Sequence, residues 1–222
     1  MRAAYLSLDR PDIQYTCKEL AKGMNKPPER HKMYLKRLAR YLQAKPRVVQ
    51  LISNQEAIYN MSTWVDANHA GCVRTRKSTS GGVVMLGQST TKTYSKSQAV
   101  IALSGGEAEY YGLVSGISHS LGEQVTARDW RVLLDIQLYM DATAGMAIGS
   151  RKGLGRVKHI DTVFLWAQEM VRSGRVTIKK KHTTEMLADM LTKIVPGPRA
   201  DALMRNMGFR VQAGRHEKGL RA

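Results

Sequence analysis

Hydrophobic positions recur at helical spacing in the first part of the chain and at every second residue after it. Arg30 to Leu42 (RHKMYLKRLARYL) places Met33, Leu35, Leu38 and Leu42 on or near one stripe, which predicts a helix. Pro27, Pro28 and Pro46 mark its loop and its end, because proline cannot continue a helix interior. Residues 1–47 therefore read as a basic helix pair with a boundary near Pro46. From Val48 the period shortens. Val48 to Ser53 and Ala57 to Asp66 are rich in β-branched, aromatic and other apolar residues, and Gly81 to Leu86 and Thr91 to Lys96 follow across short Gly/Ser/Thr turns. That is the pattern of an antiparallel meander. Tyr110, Leu113, Val114, Ile117 and Leu121 return to helical spacing, followed by a second helical piece around Trp130 to Leu134 and a strand from Ile136 to Asp141. Beyond Asp141 the reading is a short helix, a Gly/Arg/Lys loop, a helix from Asp161 to Arg172, a strand from Arg175 to Lys180 and a helix from Glu185 to Lys193. Residues 196–222 read as one more short helix and a polar tail. Hairpins first and crossovers later imply an α/β domain over residues 48–195, a mixed sheet covered by helices.

Composition narrows the class. At 222 residues and 43% hydrophobic content the chain has enough apolar surface for a real core. A formal net charge of +17 points to a polyanionic partner, nucleic acid above all. Cys17 and Cys72 stand far apart and outside any Cys/His spacing, which argues against a disulfide scaffold and a structural zinc site and fits a reducing compartment. The longest apolar runs fall well short of the ~20 residues that span a bilayer, so no membrane association is expected. The start, MRAAYLSLDRPD, lacks the apolar core of a secretory signal and reads as the opening of a fragment of something longer. An intracellular protein is the expectation.

Against that basic background four acids are conspicuous: Asp66, Glu109, Asp141 and Asp189. Carboxylate oxygens are hard ligands for Mg²⁺, and Lys and Arg attract phosphates. Each acid also has an ordinary reading. Asp66 ends a strand, where Asp is a common turn residue. Asp141 can cap the helix that follows it. Asp189 falls off the stripe Leu187, Met190, Leu191 and Ile194, as an exposed helix Asp does. Glu107 and Glu109 compete for one helix position, and periodicity leaves that choice open.

Motifs almost end to end bear on these alternatives. Arg10-Pro11-Asp12-Ile13, the helix Lys36 to Leu42, Asp66-Ala67-Asn68-His69-Ala70-Gly71, Arg76 to Gly81, Glu107-Ala108-Glu109-Tyr110, Tyr139-Met140-Asp141, Lys158-His159-Ile160-Asp161 and Leu187 to Lys193 follow one another in order. In that order they resemble the C-terminal part of the Pol polyprotein of copia-type LTR retrotransposons, the end of the reverse transcriptase followed by its ribonuclease H domain. His69 stands where the family usually has Trp, and Gly105-Gly106 replaces a Ser pair. The polymerase's paired-aspartate motif is absent, so DNA synthesis is not expected.

The resemblance implies a ribonuclease H-like fold with a mixed five-stranded sheet flanked by helices, preceded by a basic helical remnant of the reverse transcriptase. It implies that Asp66, Glu109, Asp141 and Asp189 are catalytic metal ligands, with Glu109 preferred over Glu107, which becomes a helix-start charge. Two Mg²⁺ ions, or Mn²⁺ as substitute, would lie roughly 3.5–4 Å apart and drive hydrolysis of the RNA strand of an RNA–DNA hybrid. His182 lies in a loop where ribonuclease H proteins often carry a mobile His that assists product departure, but copia-type chains usually lack it there, which favours phosphate contact or a solvated loop over that auxiliary role. Arg74, Arg76, Lys77, Arg151, Lys152, Arg156, Lys158, His159 and Lys180 are candidates for gripping the strands. Partners would be the hybrid and the remainder of the reverse transcriptase, in a cytoplasmic virus-like particle or the nucleus. The rival reading is a decayed or repurposed fragment that binds nucleic acid without cutting.

Overall fold

A computed structural model describes residues 2–155 and 157–214. Its centre is a five-stranded sheet of β2 (Asn60–Asn68), β3 (Thr79–Leu86), β4 (Ser89–Ser97), β5 (Asp135–Met140) and β6 (Val176–Lys180), in the spatial order β4-β3-β2-β5-β6. The meander β2-β3-β4 is antiparallel, whereas β5 joins β2, and β6 joins β5, in parallel. This is the mixed sheet that the order of elements implied. Parallel neighbours need long crossovers, and the helical segments before β5 and before β6 supply them.

The long helix α4 (Gly105–Asp129) covers one face. Tyr110, Leu113 and Ile117 are fully buried there and join Val65, Ile136, Leu138 and Met140 from the sheet in the main core. Burial of each such side chain is worth about 2 kcal/mol. The helix lies close because of Gly116, where an added Cβ would meet Val65 Cγ1 at 2.3 Å. Thr63 and Ser120, buried between β2 and α4, satisfy each other through a 2.7 Å hydroxyl bond. The helices α5 (Thr143–Ser150) and α6 (Trp166–Arg172) extend the same layer. The predicted helix from Asp161 is a 3₁₀ turn, Thr162–Phe164, followed by α6. The second helical piece after Trp130 is not formed, and Arg131 has φ +63° where the chain leaves α4.

The opposite face packs on the C-terminal part of the chain. Val83 and Met85 of β3 meet Leu187, Met190, Leu191, Leu203, Met204, Met207 and Phe209 in a second core. These residues come from α7 (Asp189–Thr192), α8 (Gly197–Asn206), β7 (Phe209–Gln212), the segment just before α7 and the turn between α8 and β7. The predicted helix Glu185 to Lys193 shrinks to a 3₁₀ turn, Thr183–Glu185, and the single turn of α7. β1 (Arg47–Gln50) is not part of the meander. It pairs antiparallel with β7, Val48 opposite Val211, in a separate two-stranded ribbon. Strand periodicity identifies a strand but not its partner, and this partner lies at the other end of the chain. A division at residue 195 thus separates α8 and β7 from a core they help to fill.

The N-terminal residues form three helices rather than a pair: α1 (Arg2–Asp9), α2 (Pro11–Ala21) and α3 (Glu29–Ala44). Ile13, Cys17, Leu20 and Leu38 make a small core between them. α2 docks on the meander through Gln14 Nε2 to Thr93 Oγ1 (2.8 Å) and Lys18 Nζ to Thr79 Oγ1 (2.6 Å). Arg10 and Tyr41 both bond Asp12, tying α2 to α3.

Because α8 and β7 complete the second core, Phe209→Ala is expected to lower the unfolding free energy by about 3–5 kcal/mol, read from denaturant titration. A chain ending at residue 195 is expected to lose the cooperative transition.

Candidate functional site

β2 and β5 are parallel neighbours with Trp64 beside Tyr139. Asp66 and Asp141, each two residues further on, therefore emerge at one end of the sheet. The first turns of α4 bring Glu109 across this pair. α5 closes on the same turn through Gly145, whose Cβ, if present, would lie 2.7 Å from that of Glu109. One carboxylate oxygen from each of Asp66, Glu109 and Asp141 lies within 4.8 Å of the other two.

Three acids so placed cannot all ionise comfortably. Burial, reinforced by the charges of Asp66 and Asp141, pushes the Glu109 carboxyl up to about 9. Burial likewise raises Asp66, against the lowering effect of Thr192 and Lys193. Thr192 Oγ1 donates to Asp66 Oδ2, and Thr183 Oγ1 donates to Asp141 Oδ2 at 2.7 Å. Glu109 Oε2 is buried without a hydrogen-bond partner. A divalent cation fits this set: hard oxygen donors, a surplus of negative charge and one orphaned carboxylate oxygen.

Glu107 is not among them. Ser104 caps α4 by accepting from the Glu107 N–H at 3.2 Å, and Glu107 Oε2 accepts from the Leu103 N–H at 2.9 Å. Tyr111 Oη donates to Glu107 Oε1, and His159 Nε2 lies 2.8 Å from Glu107 Oε2. Burial pushes Glu107 up, but the bonds from His159, Leu103 and Tyr111 bring it below its ordinary value. The signal was local, since Ser104-Gly105-Gly106-Glu107 has the S-x-x-E spacing of a capping box.

Asp189 is also fully buried and lies near the cluster without joining it. Arg199 Nη2 donates to its Oδ2, and Lys193 Nζ sits 2.8 Å from its Oδ1 in an ion pair without hydrogen-bond alignment. Burial would lower the Lys193 ammonium, but Asp189, Asp66 and Asp141 together raise it. Thr192 and Lys193 follow Asp189 at helical spacing and were legible as its neighbours. Thr183 and Arg199 carried no sequence signal.

His182 is exposed beside Thr183, with Nδ1 engaged by the Thr184 hydroxyl at 2.9 Å. His69 Nε2 stands 3.3 Å from the Ala102 carbonyl. Among the basic candidates, Arg76, Lys152 and Lys158 are exposed, and Lys77 is half-buried. Arg74 donates to the Lys22 carbonyl at 3.0 Å, and Lys180 Nζ donates to Thr143 Oγ1 at 3.0 Å. Arg151 is turned inward onto the Leu154 carbonyl, and Arg156 lies outside the described residues. A cavity of about 750 Å³ between α2, α3 and the loop after β2 was not foreseen. Lys22, Lys26, Arg30, Arg37, Arg74 and Lys193 border it.

The raised carboxyl of Glu109 has a definite pH signature. Its pKa in the folded state exceeds the ordinary 4.5, so it costs the metal-free fold nothing below about pH 4.5 and progressively more as pH rises toward 9. Glu109→Gln is therefore expected to melt about 5 °C higher than the unaltered chain at pH 8 without divalent ions. The difference should vanish near pH 4, and Mg²⁺ should stabilise the unaltered chain alone. Differential scanning calorimetry across this pH range checks it.

No protein-family model matches the chain. The retrovirus-related Pol polyprotein from transposon RE1 of Arabidopsis thaliana is 29% identical over 192 residues, 85% of this chain and 13% of that protein. That from transposon TNT 1-94 of Nicotiana tabacum is 28% identical over 196 residues, 84% of this chain and 14% of that protein. The chain thus spans a small part of these relatives. The secreted RxLR effector protein 161 of Plasmopara viticola is 31% identical over 119 residues, 54% of this chain and 83% of that protein. Among solved structures, the N-terminal RNase H domain of rv2228c from Mycobacterium tuberculosis aligns with 66% of this chain and 97% of its own, at 18% identity and a TM-score of 0.41. No helix among the described residues is long and apolar enough to cross a membrane. The chain is thus similar over most of its length to retrovirus-related Pol polyproteins of plant transposons, and it has the expected α/β architecture, a mixed five-stranded sheet flanked by helices with an acid cluster at one end.

Proposed function

We propose that this chain is a divalent-metal-dependent endonuclease that hydrolyses the RNA strand of RNA–DNA hybrids during reverse transcription. The observation that carries the reading is the convergence of Asp66, Glu109 and Asp141, with the buried Glu109 Oε2 unpartnered, at one end of a basic protein's sheet. Mg²⁺ or Mn²⁺ held there would supply activation of water and stabilisation of negative charge on the leaving 3′ oxygen.

The chain's own residues do the rest. Thr192 and Thr183 fix the rotamers of Asp66 and Asp141 through their hydroxyls, so the carboxylates are arranged before substrate arrives. Lys193 offsets part of their charge and stands at the border of the basic cavity. The lysines and arginines of that cavity, with Arg76, Lys152 and Lys158, would hold phosphates along the duplex. RNA would be told from DNA by contacts to 2′-hydroxyls in the wide minor groove. An auxiliary role of His182 in product departure would run through Nε2, since Nδ1 engages Thr184. We assign residues 1–47 to the end of the reverse transcriptase. Its remainder would cover the apolar side chains of Tyr5, Leu8 and Leu35, all more than half exposed.

One observation favours a second reading, a fragment turned to another use without cutting. Most of the length of a relative named for a different role, the effector protein, aligns with this chain. An end-labelled RNA–DNA hybrid incubated with the full chain separates the two. The expected result is Mg²⁺-dependent cutting of the RNA strand to 5′-phosphate products, reduced at least about 1,000-fold in Asp141→Asn. Absence of metal-dependent cutting by the unaltered chain sinks the nuclease reading.

A further inference from the structure

Arg199 lies on α8, outside every motif that marks the family resemblance, yet it connects two of the four acids. Its Nη2 donates both to Asp189 Oδ2 and to the Thr183 carbonyl, the latter at 2.8 Å. Thr183 in turn donates its hydroxyl to Asp141 Oδ2 at 2.7 Å. A continuous path therefore runs Asp189–Arg199–Thr183–Asp141. On its other oxygen Asp189 faces Lys193 at 2.8 Å. A carboxylate with no exposure and a cation on each oxygen already has its charge matched. Asp189 Oδ1 and Glu109 Oε2 both lack a hydrogen bond, but Lys193 stands beside the first, whereas among the described residues Glu109 makes no ion pair and Asp66 and Asp141 take side-chain hydrogen bonds from neutral hydroxyls only. The demand for a further cation is concentrated on three acids, and the fourth has its cations built in.

We propose that Arg199 is a positioning residue of the acid site. With Lys193 it holds Asp189 as a buried anchor, and through the backbone of Thr183 it sets the Asp141 carboxylate, so that a divalent ion is held by Asp66, Glu109 and Asp141 without Asp189 as a ligand. This inference rests on the reading that those three acids bind the metal. It departs from the four-ligand set that the family resemblance implies. It also makes α8 part of the site, beyond the residue-195 boundary.

The test is Mn²⁺ binding to the full chain by titration calorimetry, with each variant's fold checked by circular dichroism. Asp141→Asn is expected to weaken Mn²⁺ at least about tenfold. Asp189→Asn leaves Lys193 in place and keeps an amide oxygen for Arg199, and it is expected to keep the affinity within about threefold. Arg199→Gln is expected to weaken Mn²⁺ about fivefold, with Arg199→Lys restoring most of the loss. Loss in Asp189→Asn as large as in Asp141→Asn makes Asp189 a ligand and overturns the inference. Unchanged Mn²⁺ affinity in a folded Arg199→Gln overturns the positioning role. If the unaltered chain binds no Mn²⁺, the metal-site reading falls and this inference with it.

Discussion

Mutual repulsion among carboxylates brought together out of water is the constraint on which the rest of this structure depends. Asp66, Glu109 and Asp141 meet where β2, α4 and β5 converge, and burial raises the cost of charging the first two. A fold can hold such a cluster only if its scaffold is stiff and its deficit of positive charge is made good nearby. Stiffness comes from the parallel pair β2-β5 and from the close seat of α4 on Gly116. Relief comes from hydroxyl donors and from Lys193. The cluster thus costs the fold stability, a pattern expected of functional sites.

The two faces of the sheet divide this labour. One carries α4 and the main core, which locates Glu109. The other carries α7 and α8, which supply Thr192, Lys193 and Arg199 around the same acids. The ribbon β1-β7 pairs the strand that follows the N-terminal helices with the strand that follows α8. The surplus of basic residues divides in the same way. A few are internal counterions, as Lys193 and Arg199 are for Asp189. Others border the cavity between the N-terminal helices and the loop after β2.

Much of this was legible along the chain, for reasons that can be named. The meander and α4 follow from periods of two and of three to four, because a single buried face imposes them. Asp66 and Asp141 could be placed at strand ends, whereas the choice of Glu109 over Glu107 rested on the family resemblance. The helix read over Glu185 to Lys193 failed because its apolar residues are buried by a largely irregular segment pressed into the second core, where burial is not confined to a helical stripe.

By itself, then, the sequence determined the α/β class, the order of elements, the basic character and the identity of the four candidate acids, all properties carried by local spacing and composition. Only the tertiary structure decided that three of those acids converge while Asp189 turns to Lys193 and Arg199, and that β1 pairs with β7. Pairings between residues far apart in the chain are set by which surfaces pack together. A carboxylate's role depends on the charge and water that packing leaves around it, and neither is written in the residues beside it.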